Sequence, residues 1–203
     1  LRGDRPAYRE KGLGIWQTWS WSETEKEIRN LSCGLKKLGF ERGDKLAIIG
    51  DNRPCLYWAI MAAQCLGGIP VPLYQDSVAQ EMKYVLDNAD IRFAVVENQE
   101  QTDKLLEIWE DCPKLETIIY EDTRGMNAYQ QEFLHCFADV QQAGKEYDKQ
   151  NKDFFETSIA QVSKSDISII LYTSGTTGVP KGVVLSQDNL IQASRSSADF
   201  DHL

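Results

Sequence analysis

Lys45-Leu46-Ala47-Ile48-Ile49-Gly50 is followed by Asp51-Asn52-Arg53-Pro54, by a largely apolar run to Leu66, and then by Gly67-Gly68-Ile69-Pro70-Val71-Pro72-Leu73. A short, uninterrupted apolar run between turn residues is what a strand covered on both faces requires. Pro54 suits a first helical turn, and the glycine pair after Leu66 stops a helix, so a helix lies between two strands. Strand, helix and strand in this order make a βαβ crossover, which pairs its strands in parallel.

The same unit recurs downstream. Ser77-x-x-Gln80 predicts a capped helix to about Asn88, Ile91–Val96 a strand, Gln99–Glu110 a helix and Leu115–Tyr120 a strand. Upstream, extended runs at Pro6–Glu10 and Ile15–Trp21 flank Lys11-Gly12 and predict a hairpin in which Trp16, Trp19 and Trp21 serve as packing aromatics. Ser22-Glu23-Thr24-Glu25 reads as a capping box, and Ile28, Leu31, Leu35 and Leu38 follow at helical spacing, giving a helix over 22–38 that ends at Gly39. Asp51, Asn52 and Arg53 read as capping residues, and the acidic stretch Glu97–Glu110 as a solvated helix face. Residues 121–165 are polar and read as a connector with one helix over about 127–143, inside a single unit spanning 1–203. Ile167–Tyr172 then reads as a buried strand, Val183-Val184-Leu185 as strand-like, and Ser186-Gln187-Asp188 as a helix start. The expected class is α/β, a mainly parallel sheet with helices on both faces.

Composition removes several functions. Apolar residues at 42% and charged residues at 26% are a globular balance, unlike that of a disordered or membrane-spanning chain. A net charge of −9 repels phosphodiester backbones, which argues against nucleic-acid binding. The five cysteines are odd in number and form no C-x-x-C pair, which fits free thiols in a reducing cytoplasm rather than a disulfide framework or zinc site. His135 and His202 give little material for a triad or a His-based metal centre. The chain opens at Leu1 without Met and closes soon after a helix start, so it reads as a piece of a longer parent.

Thr173 to Gly182 packs three glycines, four hydroxyl side chains and one lysine into the exit of a strand. Such a loop handles phosphate: glycines let the backbone approach, successive N–H groups converge on an anion, hydroxyls donate, and Lys181 supplies a full positive charge. A Walker A loop is excluded because the fifth residue after Gly175 is Pro180 and Lys181 is followed by Gly182. A Rossmann fingerprint fails because Gly175 and Gly178 are three apart with no glycine two before Gly175. An esterase elbow would need glycines where Tyr172 and Thr176 stand, so Ser174 is not that nucleophile.

Tyr172 to Gly182 resembles, at every position, the [YF]-T-S-G-T-T-G-x-P-K-G phosphate loop of the adenylate-forming superfamily. Gly3-Asp4-Arg5-Pro6-Ala7, Thr18-Trp19-Ser20-Trp21, Gly50 to Pro54 and Gly68 to Tyr74 look like the amino-terminal part of bacterial long-chain fatty-acid CoA ligases. The resemblance implies an acid–thiol ligase that uses ATP, Mg²⁺ and coenzyme A to convert a fatty acid, via an acyl-adenylate, to its thioester. It implies that Thr173, Ser174, Gly175, Thr176, Thr177, Gly178 and Lys181 bind the nucleotide phosphates, that Lys181 acts in catalysis, and that the Thr173 hydroxyl lies near Mg²⁺. It further implies small-molecule partners and a cytoplasmic protein in which peripheral membrane contact stays open. The family's Mg²⁺-holding glutamate, ribose aspartate, adenine segment and terminal-domain lysine fall beyond Leu203 in family order, so the chain alone is expected to be inactive. A non-catalytic nucleotide-binding or interaction module is the alternative.

Overall fold

The computed structural model describes residues 2–173 and 179–201. A hairpin of β1 (Pro6–Gly12) and β2 (Ile15–Ser20) leads into α1 (Trp21–Lys37), followed by β3 (Lys45–Ile49), α2 (Pro54–Cys65), β4 (Ile69–Leu73), α3 (Ala79–Asn88), β5 (Phe93–Val96), α4 (Gln99–Glu107) and β6 (Thr117–Tyr120). Then come β7 (Leu134–Cys136), α5 (Phe137–Gln150), α6 (Phe154–Ala160), β8 (Ile167–Thr173), β9 (Lys181–Ser186) and α7 (Gln187–Asp201).

Five strands form one parallel sheet in the order β4-β3-β5-β6-β7, with Ala47 beside both Val71 and Ala94, and Ala94 beside Ile118. Strand alternation sends Leu46, Ile48, Phe93, Val95 and Ile119 to one face, where α1, α2, α5 and α6 supply partners such as Leu31, Leu35, Leu56, Val140 and Phe155. Ala47, Ile49, Ala94, Val96 and Ile118 go to the other, against Met82, Val85 and Leu86 of α3 and Leu105 of α4. Both faces are buried, which is why these strands read as unbroken apolar runs; each fully buried large side chain contributes about 1.5–3 kcal/mol.

The first helix starts earlier than its pattern suggests. Its box is Ser20 with Glu23, not Ser22 with Glu25: the Glu23 N–H donates to Ser20 Oγ at 3.2 Å, and the Ser20 N–H to Glu23 Oε2 at 2.7 Å. The last pairing of the hairpin, Pro6 with Ser20, fixes Ser20 as extended and leaves Trp21 as the first helical residue. The α3 helix likewise begins at Ala79 after Val78, because Ser77 is tied into a turn by its N–H bond to the Tyr74 carbonyl.

The segment 121–165 differs from its expected single helix over 127–143. Phe133 stacks on Trp109 with ring centroids 3.5 Å apart, Leu134–Cys136 pair in parallel with β6, and the helix starts only at Phe137. Helix α5 crosses α1 at two glycines. A Cβ on Gly144 would fall 1.8 Å from the Asn30 carbonyl oxygen, and one on Gly34 2.3 Å from the Val140 carbonyl oxygen.

Strand β8 forms where expected but outside the parallel sheet. It pairs antiparallel with β9 as a two-stranded ribbon, and only Ser168 along it is fully buried. The ribbon lies beside the edge strand β4, held by Gln64 Nε2, which donates to the Ser168 carbonyl at 3.0 Å and to its Oγ at 2.8 Å. The Ile69 N–H points to the β3 side, donating to the Asp44 carbonyl at 2.8 Å, so alternation turns positions 70 and 72 outward, and both are proline. That outer edge therefore offers no N–H at those two positions, and β8 packs against β4 without extending the ladder.

Candidate functional site

In a sheet of this order, with the first strand flanked by the second and third, ligands ordinarily enter the crevice between the carboxyl ends of the first and third strands. Here those ends are β3 and β5, and the crevice is filled by protein. Gly50 leaves β3 with φ +151°, and a Cβ there would lie 2.5 Å from Glu97 Cβ. The Asp51 N–H donates to Glu97 Oε2 at 2.6 Å. Arg53 Nε sits 3.1 Å from Glu97 Oε1 and 3.6 Å from Glu10 Oε1, while its Nη1 is 3.5 Å from Glu121 Oε2.

Two expectations are corrected at this point. Arg53 stands at the N-cap of α2 but makes no side-chain cap; it clamps three carboxylates. Glu97 is buried beneath Arg53 rather than part of a solvated face. The signal was local: Arg53, Glu97 and Glu121 all stand just past the ends of buried strands, at the rim where an α/β sheet gathers polar side chains.

The cluster has a pH signature. Burial pushes the Glu121 carboxyl above its ordinary range, Arg53 opposes the rise, and Asp122, Glu10 and Glu97 add to it. A carboxyl with a raised folded-state pKa makes ionisation destabilising, so its contribution worsens as pH rises above the ordinary glutamate value. Arg53→Met strands the carboxylates and should cost about 2 kcal/mol near neutral pH. The deficit should shrink on acidification, as Glu121 takes up a proton. Urea melts of the wild type and the variant at about pH 5 and about pH 8 read this directly, and a deficit equal at both would show that Arg53 acts by packing alone.

The described ends of the Tyr172–Gly182 motif stand on the ribbon. Thr173 ends β8 directly opposite Lys181, the first residue of β9, and residues directly opposite in an antiparallel pair send their side chains to the same face. Both are exposed. Tyr172 beside them donates from its hydroxyl to Asn88 Oδ1 at 2.5 Å, which fixes the strand end against α3. A cleft of about 280 Å³ opens there, lined by Pro72, Leu73, Tyr74, Thr173 and Pro180, with Glu81 on its wall. Ser174, Gly175, Thr176, Thr177 and Gly178 lie outside the described residues. Among the described residues no group of three or more His, Cys, Asp or Glu side chains could hold a metal ion. The cleft lining carries the Thr173 and Ser77 hydroxyls and the Glu81 carboxylate, oxygen donors that fit Mg²⁺ only when nucleotide phosphates and water complete its shell.

The three aromatics of the hairpin part company. Trp19 packs edge-on against Trp58 with centroids 5.6 Å apart, as expected of a packing residue, whereas Trp16 is 57% exposed and Trp21 begins α1 partly exposed. All five cysteines are free, and burial raises the thiols of Cys33 and Cys55 to about 12, which makes them poor nucleophiles. No helix among the described residues is long and apolar enough to cross a membrane.

Comparison with known proteins bears on the family and the fold. The chain is 30% identical over 194 residues to the long-chain-fatty-acid–CoA ligase ACSBG1 of Bos taurus, covering 95% of this chain and 26% of that protein. It is 28% identical over 180 residues to the long-chain-fatty-acid–CoA ligase FadD15 of Mycobacterium bovis, covering 88% of this chain and 28% of that one. The chain therefore spans about a quarter of the length of these relatives. Among solved structures, the N-terminal domain of FACL13 from Mycobacterium tuberculosis superposes with a TM-score of 0.68 at 19% identity, over 91% of this chain and 41% of that one. The anthranilate CoA ligase AuaEII, solved with anthranoyl-AMP, gives 0.66 at 21% identity, over 84% and 30%. The model of the AMP-binding enzymes matches residues 1–202, and the chain, whose sequence carries the complete Tyr172–Gly182 motif, belongs to the family of AMP-binding enzymes.

Proposed function

We propose that this chain is the phosphate-handling part of an ATP-dependent acyl-CoA ligase acting on a fatty acid, with a long chain favoured by the names of its relatives. In the first half-reaction a carboxylate oxygen attacks the α-phosphorus of ATP, the bond to the bridging oxygen breaks, and pyrophosphate leaves with its electron pair. In the second, the coenzyme A thiol attacks the acyl carbonyl, and AMP departs. The observation that carries the reading is the placement of Thr173 and Lys181 side by side on one face at the base of the motif.

In this reading Thr173 to Gly178 cradle the β- and γ-phosphates through hydroxyls and backbone N–H groups, and Lys181 sets its ammonium where charge gathers on the departing pyrophosphate. Lys181 suits the task because it forms no salt bridge among the described residues, so its charge is not already spent on a carboxylate. Mg²⁺, carried by the phosphates with Thr173 as one oxygen ligand, would supply further charge neutralisation.

The test is carboxylate-dependent ATP–pyrophosphate exchange by the longer protein that carries this chain. Exchange that requires a fatty acid supports the ligase; its absence, or exchange indifferent to the carboxylate, overturns it. The 203-residue chain alone should give no exchange above a protein-free blank, because the resemblance places the adenine segment, the ribose aspartate and the Mg²⁺-holding glutamate outside it.

A further inference from the structure

The apex of the β1–β2 hairpin carries apolar side chains that the fold does not use. Leu13 is 101% exposed and Ile15 70%, next to the exposed Trp16. Leu13 also holds a left-handed φ of +49°, followed by Gly14 at +83°. In a two-residue hairpin turn this pair of conformations suits asparagine and glycine and strains leucine. A side chain without contacts, in a backbone conformation it disfavours, contributes nothing to folding, and such outliers point to function.

The strands sort their charges by face. Tyr8 and Glu10 turn inward, to the Tyr57 ring and to Arg53, whereas Arg9 and Lys11 turn outward beside Trp16. The Arg9 guanidinium carbon lies 5.1 Å and the Lys11 ammonium 6.0 Å from the Trp16 ring centroid, and neither cation forms a salt bridge among the described residues. On a chain of net charge −9 the outward edge of the hairpin is a local reversal of sign.

We propose that this apex inserts into the surface of a lipid bilayer bearing anionic headgroups. A protruding tip of two aliphatic residues is too small and too convex for a specific protein interface, which needs several hundred square ångströms from each partner. It matches an interface between water and hydrocarbon instead: Leu13 and Ile15 at the acyl boundary, Trp16 at headgroup level, Arg9 and Lys11 against lipid phosphates and carboxylates. The net charge of −9 disfavours approach to an anionic surface elsewhere, so the cationic edge of the hairpin favours this orientation. This inference goes beyond the ligase reading and stands without it.

The experiment is flotation of the 203-residue chain with phosphatidylcholine vesicles, with and without phosphatidylserine. The chain is expected to float with the anionic vesicles and less with neutral ones. Leu13→Ser/Ile15→Ser/Trp16→Ser should lower the bound fraction on both by about tenfold or more, while Arg9→Gln/Lys11→Gln should lower it only on anionic vesicles, by about fivefold per cation. Leu13→Asn guards against misfolding: it relieves the strained turn, so it should melt no lower than wild type and still bind less. Failure of the wild type to float with either composition, or flotation of the triple serine variant equal to wild type, overturns the proposal. So does concentration-dependent self-association abolished by the triple variant in the absence of flotation, which would assign the tip to a second copy of the chain.

Discussion

Lys181→Ala in the longer protein should lower carboxylate-dependent ATP–pyrophosphate exchange by on the order of a hundredfold, with little effect on fatty-acid binding. In the proposed reading the charge of Lys181 would matter most when the bond to pyrophosphate breaks and negative charge builds on the leaving group, so its loss would fall on the rate rather than on substrate affinity. A charge-assisted contact of this kind is worth about 2–4 kcal/mol in a transition state. Thr176→Ala and Thr177→Ala should each cost less, since neighbouring backbone N–H donors still serve the phosphates. Position supports the assignment: Lys181 is held by strand pairing opposite Thr173, so its backbone is placed before any ligand arrives. Exchange at the wild-type rate by a folded Lys181→Ala protein would remove the phosphate-loop assignment and favour a non-catalytic binding role.

Gly144→Ala should be the most destabilising single methyl that can be added to this chain's helices. The added carbon would lie 1.8 Å from the Asn30 carbonyl oxygen and close to the Gly34 backbone, and neither is the movable end of a side chain. Relief requires α5 to slide or lift from α1, which uncovers Val140 and Phe137 on the buried side of the sheet. Overpacking against rigid neighbours costs about 3 kcal/mol, a fall in melting temperature of roughly 6–12 °C for a domain of this size. Gly12→Ala is the control, since a Cβ there meets only the end of the Gln17 side chain at 3.8 Å. A thermal melt in which both variants match the wild type would show that the helices do not cross as closely as described.

The parallel sheet was legible because burial on both faces leaves a plain mark, and Leu46–Ile49, Ile69–Leu73 and Phe93–Val96 could hardly be read as anything else. The membership of β8 was not. Its run Ile167–Tyr172 has the composition of a core strand, and only the two prolines of β4, read as an outward-facing pair, would have shown that the neighbouring edge is closed to it. Gly34 and Gly144 were silent for another reason: inside helices they register as weak helix formers, and their use as a crossing point depends on two segments about 110 residues apart meeting. Composition and order marked Thr173 to Lys181 as a candidate phosphate loop, and of that segment the structure describes Thr173 and Val179 to Lys181, with Thr173 paired opposite Lys181. The Arg53 clamp was missed because its carboxylates stand on β1 and just past β5 and β6; each rim position is marked locally, but only the folded topology brings them to one guanidinium.

The proline-closed edge of β4 also has a mechanical meaning. A ribbon hydrogen-bonded into the sheet would share its stiffness, and any tilt would have to tear a main-chain ladder. Here, among the described residues, no main-chain hydrogen bond joins the ribbon to β4; it is pinned near its base by Gln64 on Ser168 and near its tip by Tyr172 on Asn88. Tilting about the buried Ser168 would break the Tyr172 contact and slide apolar surfaces, yet leave every β4 to β3 bond intact. The sheet can thus stay rigid while the element that carries Thr173 and Lys181 yields, a compliance that would suit the proposed gripping of a triphosphate and release of pyrophosphate.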